Sequence, residues 1–289
     1  MGKLIYKYRA WDTYTKLMLK NHELYFNNPD LFNDPFDSMP NCGKTEQDDA
    51  DNFNRYSSVP EALELFKLLE PWAIAETAKQ IQKFIRRLGI VCFSKICDSI
   101  LMWSHYADYH RGVCFGFDKD LLEAEDLIIS DVCYLSRPPL FNVASRRYKF
   151  SDQCLNVLFC KSKAWSYEKE IRAVKCPFFT DEIKRKHKFP KAALKEVIFG
   201  AKVDETNMIL IADMCLQQGY NVKFFKMALD KKGEYKLIKY PLRIAFADVP
   251  ESYVLPENPD AEMKIGKRTI TKYLGKKVDL SQFDGLREM

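Results

Sequence analysis

No stretch of eighteen consecutive apolar residues occurs in this 289-residue chain, so no segment has the length and polarity of a transmembrane helix. MGKLIYKYRA at the start has neither the apolar run nor the small-residue cleavage site of a secretory signal, and Tyr6 stands where myristoylation wants Ser or Thr. The expectation is a cytoplasmic protein with no membrane partner. No Gly-x-Gly-x-x-Gly or Walker loop follows an apolar run, which disfavours Rossmann and P-loop folds, and no Gly-x-Ser-x-Gly elbow suggests a serine hydrolase. Histidine is scarce: the four at 22, 105, 110 and 187 show no His-x-x-x-His or His-Glu pairing. The Asn33, Asp34 and Asp37 cluster lacks the glycine and terminal Glu of a calcium loop, so no metal is expected. Nine cysteines include no Cys-x-x-Cys pair. Cys92, Cys114 and Cys133 sit in VCF, VCF and VCY runs, where a reduced thiol acts as a small core hydrophobe, and a reducing compartment follows.

The chain does have an ordinary globular composition, 47% hydrophobic and 29% charged, which excludes wholesale disorder and a disulfide miniprotein. Forty-five basic against forty acidic residues leave +5, too small an imbalance to argue for nucleic acid by itself. Basic residues from Lys264 to Lys277, with no acidic residue among them, could form a phosphate-contacting strip; a solvated tail is the plainer reading.

Strand and helix signals are interspersed without a βαβ rhythm. Leu4 to Arg9 reads as a strand, and Asp12 or Thr13 caps a helix through His22. ELYF is a second strand, followed by an aromatic, Asn- and Asp-rich loop, NNPDLFNDPFD. A polar loop over 47–58 precedes helices opened by Pro60 and Pro71. IVCFS is a buried strand, Asp98 caps a helix carrying MWSHYADYHR that Gly112 closes, and VCFGFD is a strand. DLIISDVCYL and WSYEKEIRAVK read as strands, with a helix from Ser151 to Cys160 between them. KEVIFG ends another strand, Asp204 caps a helix to Gly219, and YNVKFFKMAL with EYKLIKYPL brackets a hairpin at Lys231, Lys232 and Gly233. The fold class is α+β: a mixed, split sheet with peripheral helices in one domain over 1–242, a helical insert at about 58–89, and a C-terminal extension over 243–289.

Two strings could carry chemistry. In an extended WSYEKEIR, Glu168, Glu170 and Arg172 share one face, and carboxylates about 7 Å apart along a strand raise one another's pKa unless a cation such as Arg172 or Lys7 compensates. That pattern suits hydrogen bonding to a sugar hydroxyl and polarising a nucleophile; a solvated face with cross-strand ion pairs is the alternative. In ILMWSHYADYHRG, Trp103, Tyr106 and His110 fit a packing stripe, whereas His105, amid aromatics, is either a structural imidazole or a ligand contact.

YKYR, LYFNNPDLFNDPFD, CFSK with LMWSHYADYHRGVCFGFD, WSYEKEIR and EVIFG, in that order over roughly residues 4 to 227, resemble the successive blocks of DUF2971, a prokaryotic family of unknown function. A basic first strand, a serine in a middle strand and a late Glu-x-Glu are similar to the Arg, Ser and Glu-x-Glu order of ADP-ribosyltransferases. The second resemblance implies an ADP-ribosyltransferase-like split-sheet core with NAD as substrate. Arg9 or Lys7 would hold the NAD phosphate or ribose, and Ser94 would be the middle serine. Glu170 would accept from the ribose 2′-hydroxyl and stabilise an oxocarbenium charge, and Glu168 would orient the acceptor. Tyr25, Phe26 or Phe36 would stack on nicotinamide.

The resulting expectation is an NAD-dependent ADP-ribosyltransferase acting on a macromolecular acceptor, protein or nucleic acid. A toxin or phage-defence effector, with a neutralising antitoxin protein as a further partner, is its implied setting. The rivals are a non-catalytic binding module using the loop Asn33 to Asp37 with the WSHY helix, and an NAD glycohydrolase.

Overall fold

The computed structural model describes residues 3–43, 75–76, 78–85, 87–123, 127–142, 150–175 and 185–242. The polar loop over 47–58, the helix starts at Pro60 and Pro71, and the basic tail lie outside the described residues. The fold is mixed α+β, with a large mixed sheet and several helices. No helix among the described residues is long and apolar enough to cross a membrane.

The chain divides into two compact units whose segments alternate in sequence. One comprises Met1–Leu24, Phe93–Glu125 and Lys188–Met289; the other comprises Tyr25–Cys92 and Asp126–His187. In the first unit five strands lie in the order Leu237–Leu242, Lys223–Leu229, Leu194–Phe199, Val113–Asp118, Leu4–Arg9. Leu194–Phe199 and Lys223–Leu229 run parallel because helix Glu205–Gln217 crosses between them, and the remaining neighbours are antiparallel. Asp204 caps that helix by accepting from the Asn207 N–H, as Asp12 caps Thr13–Asn21 by accepting from Thr15. Ile5, Trp103, Phe115, Phe117 and Phe199 are wholly buried and supply much of the core. The hairpin falls where its residues place it, and Gly233 takes φ +84° in its turn.

The WSHY segment differs from expectation. Ser99, not Asp98, caps the helix by accepting from Met102, and the helix stops at Tyr106. Asp108, Tyr109 and His110 then take positive φ in succession. This turn is fixed from several sides: His110 N–H donates to Trp103 O, Gly112 N–H to Ala107 O, and Lys202 N–H to His110 O. His110 therefore leaves the helical stripe, and its Nε2 lies 3.0 Å from Ser104 Oγ. Trp103 keeps its packing role, edge-on to Tyr8 with Nε1 donating to Cys97 O. A Cβ on Gly112 would lie 2.3 Å from the Arg9 carbonyl oxygen, a backbone atom that cannot swing away. Gly112→Ala is therefore expected to cost about 1–3 kcal/mol in urea unfolding. An unchanged midpoint would mean that the turn relaxes freely.

The second unit pairs Ile128–Asp131 antiparallel with Glu170–Lys175, Cys133–Leu135 parallel with Cys160–Ser162, and Asn41–Gly43 parallel with Leu140–Asn142. Ile81, Ile85, Leu88, Ile90, Phe141, Val157, Leu158 and Val174 form its apolar core. Three expectations are corrected here. DLIISDVCYL is two strands divided at Val132, and the helix Phe150–Leu158 stops before Cys160, which opens a strand of its own. WSYEKEIRAVK is not one strand: Lys163–Glu168 is a 3-10 helix, Lys169 caps it at φ 48°, and extension begins at Glu170. Among the cysteines, Cys114 is buried as a core thiol should be, Cys92 is half-buried, and Cys133 is exposed.

Candidate functional site

Arg172 is the centre of a buried ionic cluster in the second unit. Alternation along Glu170–Lys175 puts Arg172 on the same face as Glu170, and its guanidinium is fully buried. A guanidinium has five N–H donors, and here each is used. Nε donates to Glu170 Oε1 at 2.8 Å, and Nη2 donates to Glu170 Oε2 at 3.2 Å and Asp37 Oδ2 at 2.6 Å. Nη1 donates to Leu158 O at 2.6 Å and Ser38 Oγ at 3.4 Å. The Ser38 hydroxyl in turn donates to Asp37 Oδ1.

Lys161 is the second cation. Its strand lies beside Cys133–Leu135, and its Nζ reaches Glu168 Oε2 at 2.6 Å, Glu170 Oε2 at 3.2 Å and Asp37 Oδ2 at 3.6 Å. It also sits 5.0 Å from the centre of the Trp165 ring. Glu168 reaches this ammonium because the left-handed residue Lys169 turns the 3-10 helix back before the strand begins. The Glu170 N–H donates to the Tyr134 hydroxyl at 2.7 Å, fixing the start of that strand.

Charges this deep are tolerable only when paired. Burial alone would raise the Glu170 carboxyl, but Arg172 and then Lys161 overcome it and hold the group down at about 2. Burial works against Lys161 too, yet Glu170 and Glu168 drive its ammonium well above the usual range, so it stays protonated. Counted formally, the carboxylates of Asp37, Glu168 and Glu170 face the cations of Lys161 and Arg172, leaving one unit of negative charge.

Glu170 titrates below its ordinary 4.5 when folded, so its stabilisation is complete above about pH 4.5 and is lost as pH falls toward about 2. The thermal midpoint is expected to drop across that window, and Glu170→Gln to flatten that part of the curve. An equal acid slope in the variant would show that other carboxyls set the acid limit.

A cavity of about 250 Å³ lies against this cluster, with Lys161 in its wall. Phe36, Met39, Leu135 and Pro138 give it apolar surface, Ser38, Ser136 and Ser162 give it hydroxyls, and Arg137 adds a second cation beside Lys161. Phe36 is two-thirds exposed, at 67%. Its loop is shaped by Asp34, whose Oδ1 accepts from the Phe36 N–H.

Of the residues singled out in the sequence, Glu168, Glu170 and Phe36 come together around Lys161 in this unit. Tyr25 is exposed, whereas Phe26 is fully buried and edge-on to His187, so its ring is committed to packing. Lys7, Arg9, Ser94 and His105 belong to the other unit. The Lys7 ammonium lies 5.6 Å from the Phe93 ring centre. Arg9 donates from Nε to Thr15 Oγ1 and pairs with Asp12 at 3.6 Å. Ser94 is wholly buried and accepts from the Ile96 N–H, and His105 is exposed at 6.2 Å from Tyr106. Sequence reasoning did not find Lys161 or Tyr134 as members of the site, and it named Asp37 as a site residue only within the loop Asn33 to Asp37 of the binding-module rival. The available hint for Lys161 was a lysine directly after the apolar run VLFC. Among the described residues no group of three metal-ligating side chains is assembled.

No curated protein and no solved structure matches this chain. Residues 102–173, the stretch carrying Lys161, Glu168, Glu170 and Arg172, match the family DUF2971, whose description is a protein of unknown function.

Proposed function

We propose that the chain cleaves the glycosidic bond of NAD and transfers ADP-ribose to a macromolecular acceptor, protein or nucleic acid, from an ADP-ribosyltransferase-like core and without a metal. One observation carries the reading: a buried cluster of three carboxylates, including the Glu-x-Glu pair, stands behind Lys161 at the wall of a cavity that Arg137 and the exposed ring of Phe36 also line. The nicotinamide ring of NAD is cationic, and the ribosyl group becomes an oxocarbenium as the C–N bond breaks. Both species gain from fixed carboxylates that water does not screen, here those behind Lys161. Phe36 offers a face for the ring, Glu170 supplies the permanent anion, and Glu168, held by Lys161, orients the acceptor. A toxin or phage-defence effector in the cytoplasm, neutralised by a protein partner, is the setting this reading implies.

A second reading draws on burial. Glu168 and Glu170 are 2% and 3% exposed, which suits a structural ion cluster beside a cavity that binds a ligand without chemistry. Incubating the protein with NAD and following nicotinamide release separates the two, since a binding module releases none. Adding candidate acceptors separates transfer from hydrolysis. Glu168→Gln is expected to lower acceptor labelling more than nicotinamide release, because water needs less positioning than a macromolecular nucleophile. Equal losses of both would remove the division of labour.

A further inference from the structure

We propose that Cys133 and Cys160 form a peroxide-responsive thiol pair that closes into a disulfide beside the Lys161 cavity. The proposal is independent of NAD chemistry and rests on strand register. Cys133–Leu135 and Cys160–Ser162 are parallel neighbours in which Cys133 stands opposite Cys160. Residues so opposed lie about 4.7–4.9 Å apart with their side chains on one face. That spacing is inside the roughly 4.4–6.8 Å Cα window of a disulfide, so closure needs no slip of the strands, only a local approach of the Cβ atoms to the roughly 3.5–4.5 Å a disulfide uses. The register is pinned by the Cys133 N–H, which donates to Phe159 O at 2.7 Å.

The two thiols occupy unequal environments. Cys133 is exposed, whereas Cys42, Cys92 and Cys97 are half-buried and Cys114, Cys154, Cys160 and Cys215 are buried, so among the described cysteines an oxidant meets Cys133 first. Burial, reinforced by the adjoining Cys133 thiol, pushes Cys160 up to about 11, and the Cys160 thiol donates to Asn156 Oδ1 at 3.6 Å. Cys160 therefore stays a thiol until a sulfenic acid forms next to it.

The chemistry balances with hydrogen peroxide as oxidant. The Cys133 thiolate attacks one peroxide oxygen, the O–O bond breaks, and water leaves after the departing hydroxide takes up a proton. Cys160 sulfur then attacks the sulfenic sulfur: the S–S bond forms, the S–O bond breaks, and a second water carries away the Cys160 proton. Two thiols lose two electrons, and one peroxide becomes two waters. Cys160 lines the cavity and precedes Lys161, so the bond fixes the strand that presents the ammonium to the cavity.

The test exposes the reduced full chain to hydrogen peroxide, blocks remaining thiols by alkylation, digests without reductant and maps the peptides by mass spectrometry. The expected product is a Cys133–Cys160 linked peptide, two hydrogens lighter than the pair of thiol peptides. It should appear before Cys42 or Cys97 is modified and disappear with dithiothreitol. In Cys160→Ser, Cys133 should be trapped as a sulfenic acid that dimedone labels. Wild-type Cys133 advancing to sulfinic or sulfonic acid while Cys160 remains open to alkylation would overturn the proposal. So would linkage of Cys133 to other cysteines in equal yield. The wild-type map decides the matter even if the serine variant fails to fold.

Discussion

Replacing Arg172 by Met is expected to destabilise the protein by about 3–5 kcal/mol, the usual result of removing one partner from a buried ion pair. The side chain is 0% exposed and all five of its donors are engaged, so the variant leaves Glu170 and Asp37 to share the Lys161 ammonium and removes the guanidinium donor from the Leu158 carbonyl. The cluster's formal charge moves from one negative unit to two, in a place water does not reach. Met matches much of the aliphatic length and adds no strain, so the loss reads the charges rather than a cavity. Urea or thermal unfolding gives the number. A near-neutral result would mean that the carboxyls take up protons at little cost, and that Arg172 does not organise the cluster.

Glu170→Gln moves the charge the other way. Three carboxylates facing two cations become two facing two; the glutamine carbonyl still accepts from Arg172 Nε, whereas the Oε2 contacts with Arg172 Nη2 and Lys161 Nζ are lost, at a cost in stability. This variant is expected to fold. NAD turnover, in contrast, is expected to fall about 100- to 1,000-fold, the scale set by removing one preorganised electrostatic group from a transition state. Steady-state nicotinamide release, with circular dichroism as the control, measures both halves. A folded variant with undiminished turnover would assign Glu170 to structure alone.

Local signals in the chain were enough to place most elements. Caps at Asp12 and Asp204 and the turn at Gly233 lie within a few residues of the features they control, so their physics is visible in a short window. The Glu170 and Arg172 relationship was legible for the same reason, since alternation along a strand needs only two residues of reach. Glu168 met Glu170 by another route. A strand would have placed it on the shared face, but the chain uses a 3-10 helix and a left-handed lysine, a conformation that a non-glycine residue rarely announces. The partners that define the cluster were not legible. Asp37 is 135 residues from Arg172 and Tyr134 is 36 from Glu170, and no periodicity connects such positions. The same limit explains Cys133, whose VCY context resembles a core strand although its strand lies at an exposed position.

The most direct measurement is a crystal structure of Glu170→Gln soaked with NAD, in which slowed turnover preserves the ligand. The predicted result places the nicotinamide ring in the cavity against Phe36, with the ribosyl C–N bond toward Lys161 and the residue 168–170 pair. NAD bound elsewhere, or no NAD bound by a folded protein, would contradict the assignment of this cavity as the site of NAD chemistry.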